Sequence, residues 1–342
     1  MRGAAAILLV LGSVALGVRW TELPPLPDDH GFAGAHAGVS GGALVVAGGA
    51  NFPLRPPWEG GDKVWHDRVF VLEHPDADWV EAGKLPRAAG YGVSVTHRDG
   101  VVCVGGSDAS GHQAGAFRLE WAEGRLRTTP LPDLPRPLAN ASGALVGDLL
   151  YVAGGVERPD STGAESTVRR IDLAAARPAW EEIEPCPGRG RALAVAASCD
   201  GAFWLVGGVA LAAGEGGTVR REYLADAWRY DPGAGWRRVA DLPVPRAAAP
   251  SPAPADAGGF AVLGGDDGSQ VGVAPEAHRG FAAGILRYDL RTAAWIEAGT
   301  VPDPRVTVPC VSWGGGWVVP SGEVRPGVRS PRIWSLGKRG IE

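Results

Sequence analysis

The chain has 342 residues, with 52 glycines, 29 prolines, 13 tryptophans and one methionine, and a formal charge of −5. That balance argues against a nucleic-acid binder, which needs a basic surface to meet phosphates. A hydrophobic fraction of 45% supplies a large core and excludes global disorder, and the glycines follow no G-X-Y period, so a collagen-like chain is excluded as well.

The chain begins with a short basic start, Met1-Arg2-Gly3, and an apolar run over residues 4–16. A run of this length is too short to span a hydrocarbon core of about 30 Å. Ala15 and Gly17 are small residues at the positions a signal peptidase reads. The expectation is a signal peptide over residues 1–17, a single folded domain over residues 18–342, and export, to the periplasm in a bacterium. No other stretch is long enough to cross a membrane. The cysteines, Cys103, Cys186, Cys199 and Cys310, form no C-x-x-C and stand at no zinc-ligand spacing. Cys186 and Cys199 are expected at opposite ends of one strand. At about 3.3 Å per residue they would lie too far apart to bridge, so four free, mostly buried thiols are expected.

After the leader, Trp20 begins a short extended segment over residues 20–27. A unit then repeats along the chain. An apolar strand ends in a double glycine, a variable loop and a second apolar strand follow, and then come a turn, a tryptophan and a proline-containing turn with arginine. The double glycines are Gly48-Gly49, Gly105-Gly106, Gly154-Gly155, Gly207-Gly208 and Gly264-Gly265, with Ser321-Gly322 as a degenerate sixth. Their spacings are 57, 49, 53, 57 and 57 residues. The tryptophan slot holds Trp79, Trp180, Trp236 and Trp295, with Leu126 in the second unit.

A period near 50 with this signature resembles the kelch repeat, which implies an all-β, six-bladed propeller of four-stranded blades. Glycine permits the positive φ needed where the chain turns over its neighbour. Tryptophan fills the gap between twisted blades, its N–H reaching a backbone acceptor. The sixth unit has strands over residues 306–312, 316–320 and 332–336 and then runs out of chain. The segment over residues 20–27 is therefore expected to close the last blade as its fourth strand. In the fifth unit the run Pro250-Ser251-Pro252-Ala253-Pro254 falls on the inner strand and predicts a short or irregular one.

Alternating strand direction puts the loop after each double glycine and each proline–arginine turn on one face. That face is expected to gather Arg87, Arg136, Arg189, Arg246 and Arg305 around a central depression suited to a carboxylate, which guanidinium grips with paired hydrogen bonds. The last unit adds Gly322-Glu323-Val324-Arg325-Pro326-Gly327-Val328-Arg329, where a tight Pro-Gly turn brings Glu323 near Arg329. A carboxylate there suits proton transfer.

This Gly-Glu-x-Arg-Pro-Gly-x-Arg run, with Gly48-Gly49-Ala50-Asn51-Phe52-Pro53 and Arg87-Ala88-Ala89-Gly90-Tyr91-Gly92, resembles the N-acetylneuraminate mutarotase (epimerase) family, in a cyclically permuted arrangement. The resemblance implies Glu323 as proton acceptor and Arg329 as its catalytic partner. Asn51, Arg87, Arg136, Arg246 and Arg305 become candidate contacts to a small sugar acid. It implies anomer exchange by assisted ring opening, with no metal and no cofactor. A copper oxidase of the galactose-oxidase type is disfavoured, because the histidines do not pair with tyrosines on suitable loops. A glycan-binding propeller without catalysis is the alternative, and the Glu323–Arg329 loop is what discriminates the two.

Overall fold

The computed structural model describes residues 19–337; the expected signal peptide lies outside them. The described chain is a six-bladed β-propeller, with six four-stranded sheets in each of which neighbouring strands pair antiparallel. Blade one runs outward through His36–Ser40, Ala43–Ala47, Arg68–Leu72 and Val80–Lys84. Blade six is built from Val311–Trp313, Gly316–Pro320, Ile333–Gly337 and Trp20–Leu23. The N-terminal strand thus closes the ring as expected, with Trp20 opposite Leu336 and Leu23 opposite Ile333. The inner strand of blade five shrinks to Ala255–Asp256, as its prolines predict.

Alternation along each second strand explains how one sheet serves two neighbours. In Ala43–Ala47, Leu44 and Val46 pack with Val311, Val318 and Ile333 of blade six, whereas Val45 packs with Val101, Cys103 and Leu119 of blade two. The core therefore consists of six apolar clusters, one in each gap between blades.

The tryptophans bolt these gaps. The indole N–H of Trp79 donates to Pro24 O at 2.9 Å, that of Trp180 to Pro132 O at 2.8 Å, that of Trp236 to Glu184 O at 2.9 Å and that of Trp295 to Ala240 O at 2.8 Å. Trp20 does the same for the closing strand, donating to Thr300 O at 3.1 Å. Each bond ties an outer strand to the chain leaving the preceding blade, and each is worth about 1 kcal/mol beyond the packing of the half-buried ring.

Every double glycine has both φ angles positive, for example 67° and 90° at Gly48 and Gly49. A Cβ on Gly48 would come within 2.3 Å of Ala89 O, so glycine is needed here for space as well as for conformation. The degenerate Ser321 also takes a positive φ of 65°. Its hydroxyl accepts from Phe32 N–H at 2.8 Å and lies 2.8 Å from Ser330 O, local bonds that compensate for the side chain.

The four cysteines are free and buried. One detail differs from expectation. Cys199 ends the strand Val195–Cys199, but Cys186 lies before it, in the turn that leaves blade three. The turn over Pro187, Gly188 and Arg189 and the axial residue Leu193 stand between Cys186 and the strand, which starts only at Val195.

At the axis the chain makes a closed cycle. Gly34 N–H donates to Thr307 O, Tyr91 to Gly34, Asn140 to Tyr91, Leu193 to Asn140, Ala248 to Leu193 and Thr307 to Ala248, at 2.6 to 2.9 Å. All six residues have positive φ, between 53° at Thr307 and 67° at Gly34. Five of them are not glycine, so a conformation costing roughly 1–2 kcal/mol per residue is imposed by ring closure rather than chosen by local propensity.

Candidate active site

The cycle forms the floor of a funnel. Tyr91, Asn140, Leu193, Ala248 and Thr307 line it, together with inner-strand residues such as Ser94, Ser142 and Ser251. Just above the floor stands a second set of six equivalent positions, each following a double glycine and each forming an antiparallel bridge to the residue before a floor residue. They are Ala50, Ser107, Val156, Val209, Asp266 and Glu323. Glu323 therefore stands on the rung that in blades three to five lines a bay beside the floor.

Glu323 begins a small hairpin, Glu323–Arg325 with Val328–Arg329, in which Glu323 and Arg329 are direct cross-strand partners. Their side chains meet with Oε1 3.5 Å from Nη1. Glu323 Oε1 also accepts the backbone N–H of Gly327 at 2.8 Å, which fixes the carboxylate over its own turn. The Arg329 side chain is 3% exposed and that of Glu323 16%, so the ion pair is largely desolvated yet keeps an open side at the carboxylate.

The guanidinium is held from several directions. Nη2 donates to Tyr91 Oη at 3.3 Å, Nε to Ala50 O at 3.4 Å, and Cζ lies 4.8 Å from the Phe52 ring centroid. A flat cation stacked on a ring and bonded at its edge has little rotational freedom. Tyr91 carries a second cation: Lys63 Nζ lies 5.0 Å from its ring and 5.3 Å from that of Trp65. Blades one, two and six thus bring a carboxylate, two cations and a phenol together around Tyr91, which lines the funnel, while Arg329 lines a neighbouring cleft with His30, Phe52 and Trp58, and Lys63 another with Trp65.

The other sequence-derived candidates fall elsewhere. Asn51 is buried and fully occupied: Nδ2 donates to Gly31 O at 3.0 Å and Asp28 Oδ1 at 3.2 Å, and Oδ1 meets His66 Nε2 at 2.8 Å. It braces the first loop. Burial keeps the His66 imidazole below its ordinary pKa, with the nearby Asp28 carboxylate opposing.

The five turn arginines do not share one position. Arg87 and Arg136 stand four residues before the floor residues Tyr91 and Asn140. They are exposed and pair outward, Arg87 with Asp108 at 3.6 Å and Arg136 with Glu157 at 3.4 Å. Arg189 occupies the corresponding place in blade four and pairs with Glu222. Arg246 and Arg305 stand two residues before Ala248 and Thr307, and both are buried. Arg305 donates to Ser321 O at 2.6 Å, to Arg332 O, and to Asp303 Oδ2 at 2.6 Å, clamping the turn of blade six. Arg246 donates to Pro245 O at 3.0 Å, and burial lowers its pKa while the Asp267 charge opposes. The expected arginine ring is therefore two groups: an exposed outer set and a buried set of turn clamps. Arg191, which the motif hides behind Arg189, belongs to the buried set. It grips Asp226 through two bonds of 2.9 and 2.6 Å and reaches Gly207 O at 3.0 Å.

The motif reading also leaves unassigned the polar residues that do line the funnel: Tyr91 and Asn140 on its floor, and Asp266 with Tyr223 on its wall. The signal available for them is position relative to the double glycines, since Asp266 stands where Glu323 does, one blade earlier. Among the described residues no group of three or more His, Cys, Asp or Glu is arranged to hold a metal ion, and no helix is long and apolar enough to cross a membrane.

Comparison with known proteins bears on this arrangement. A family model described as N-acetylneuraminate epimerase matches residues 10–128. The N-acetylneuraminate epimerase of Yersinia pestis (strain Pestoides F) is 34% identical over 153 residues, covering 35% of this chain and 38% of that protein. The protein of the same name from Haemophilus influenzae (strain 86-028NP) is 39% identical over 111 residues, covering 28% of this chain and 29% of that one. The chain thus spans between about a quarter and two fifths of the curated relatives it matches, and Glu323 and Arg329 lie beyond the residues matched by the family model. The solved structure of YjhT superposes with a TM-score of 0.67 over 82% of this chain and 87% of that one, at 14% identity, a likeness of fold. The stretch that carries blade one, Tyr91 and nearly all of blade two is thus related in sequence to the N-acetylneuraminate epimerases.

Proposed function

We propose that the funnel binds a sialic-type sugar acid, N-acetylneuraminate or a related keto sugar acid, and exchanges its anomers as a cofactor-independent isomerase. The apolar segment over residues 4–16 suggests that it does so after export, in the periplasm. The observation that carries the reading is the Glu323–Arg329 pair, cross-strand partners beside the funnel-lining Tyr91, with Arg329 locked against Phe52 and Tyr91.

The chemistry needs only proton transfer and orientation. Glu323 takes the proton of the anomeric hydroxyl, the bond from the anomeric carbon to the ring oxygen breaks, and that oxygen gains a proton from water or a funnel hydroxyl. The resulting ketone turns its other face and the ring recloses by the reverse steps, returning the proton. Arg329, with Lys63 nearby, holds the substrate carboxylate and fixes the reacting carbon. A positioned base of this kind contributes about 10² to 10⁴ in rate.

The test is NMR of a freshly released α-anomer with and without protein. The wild-type protein accelerates exchange, and Glu323→Gln keeps its fold and loses at least about 100-fold of that acceleration. Full activity in Glu323→Gln removes this residue from the mechanism. Intact binding with no acceleration by the wild-type protein favours a glycan-binding propeller instead.

A further inference from the structure

Across the funnel from Tyr91 lies a bay with its own chemistry. Its apolar walls are Val156 and Val209, on the rung shared with Glu323, and Leu211 on the hairpin Val209–Ala213 with Val219–Tyr223. Its polar groups are Asn140 from the floor, Tyr223, Asp266 and the exposed Arg221. The bay adjoins the funnel at Asn140, Leu193 and Ala248, which line both.

Asp266 is held in orientation. Tyr223 Oη donates to Oδ2 at 2.6 Å and Gly268 N–H donates to Oδ1 at 3.0 Å. Each carboxylate oxygen has capacity for a further donor. The phenol is committed to this contact, and burial together with the Asp266 bond raises its pKa. The Asn140 backbone is consumed by the floor cycle, while its carboxamide makes no side-chain hydrogen bond among the described residues.

Beside the exposed Arg221, which stands opposite Leu211 on the hairpin, an oriented acceptor, a free carboxamide and an apolar wall together match one functional group. A secondary amide bearing a short alkyl chain offers an N–H donor, a carbonyl acceptor and a methyl. Building on the sugar-acid reading above, we propose that this bay recognises the N-acyl group of the substrate. Asp266 accepts the amide N–H, Asn140 donates to the acyl oxygen, and Val156, Val209 and Leu211 cover the methyl. A sugar acid with a hydroxyl in place of the acylamino group satisfies fewer of these groups and leaves the apolar wall uncovered. The bay is then the specificity element, and the Glu323 side of the funnel the reactive one.

The experiment uses calorimetric titration of the full chain with two anomerically locked ligands, so that binding is read without turnover. They are the methyl α-glycoside of N-acetylneuraminate and that of the nine-carbon keto acid carrying a hydroxyl in place of the acetamido group. The wild-type protein is expected to bind the N-acetyl ligand at least about tenfold more tightly. Asp266→Ala and Asn140→Ala, tested separately so that one folded variant suffices, should each cut that ratio to about threefold or less and leave the hydroxyl ligand within about twofold. A wild-type ratio near one, no binding of either ligand, or equal weakening of both by the variants overturns the proposal. Retained selectivity in a protein that accelerates no anomer exchange sinks the catalytic reading and leaves the bay standing. Retained exchange without selectivity does the reverse.

Discussion

His36 offers a test of the packing at the first inner strand. Its ring is buried, meets Phe117 edge-on with centroids 6.3 Å apart, and lies against Gly92, where a Cβ would come within 2.6 Å of Cε1. Burial pulls its pKa from 6.5 down to about 4, with a contact to the Val93 backbone offsetting only part of the effect. The folded protein therefore binds fewer protons at this site than the unfolded chain. The contribution is complete above pH 6.5, declines as the pH falls below it, and is gone once the pH has passed through about 4. At about 1.4 kcal/mol per pH unit, the full effect is ~3 kcal/mol, and ~2 kcal/mol of it is lost between pH 7 and pH 5. His36→Leu keeps comparable bulk without a titrating group. Urea unfolding at the two pH values should show the wild-type protein losing ~2 kcal/mol more than the variant. Equal losses would refute the claim that a neutral, desolvated imidazole is part of the fold.

The two arginine sets should separate cleanly in the same assay. Arg191→Met strands the Asp226 carboxylate, whose burial opposes its charge and whose pKa is held down by the Arg191 bonds, and should cost at least about 3 kcal/mol. Arg87→Ala breaks a long contact of 3.6 Å made by an exposed arginine and should cost less than about 0.5 kcal/mol; comparable losses would remove the distinction between clamp and rim. Ala248→Gly relieves a residue held at a φ of 55° and should raise stability by up to ~1 kcal/mol, read as a higher melting temperature. A lower one would show that the Ala248 methyl packs more usefully than its backbone is strained.

The blades were legible because their rules are local. A glycine pair at a turn and a tryptophan on the outer strand each answer a nearby demand, and the unmatched strands at the two ends were complementary enough to show that they pair. The Glu323–Arg329 contact was legible for the same reason, since a tight turn fixes its register. The arginines were misread because the linkers differ in length. Four residues separate Arg87 from Tyr91 but two separate Arg305 from Thr307, so aligning the arginines misaligns the axis. The left-handed backbone at Tyr91, Leu193 and Thr307 follows from closing a circle and has no counterpart in the preferences of tyrosine, leucine or threonine. Asp266 escaped notice because its partner, Tyr223, lies 43 residues away on the hairpin of another blade.

The axial cycle has one consequence for how such a pocket can change. Both polar backbone groups of Gly34, Tyr91, Asn140, Leu193, Ala248 and Thr307 are spent on one another, so a guest molecule meets almost no uncommitted peptide groups at the base of the cup. Its polar atoms must be answered by side chains, one position per blade, on a scaffold that is indifferent to what those side chains are. Chemical preference can then be rewritten one sector at a time while the peptide circle beneath stays the same.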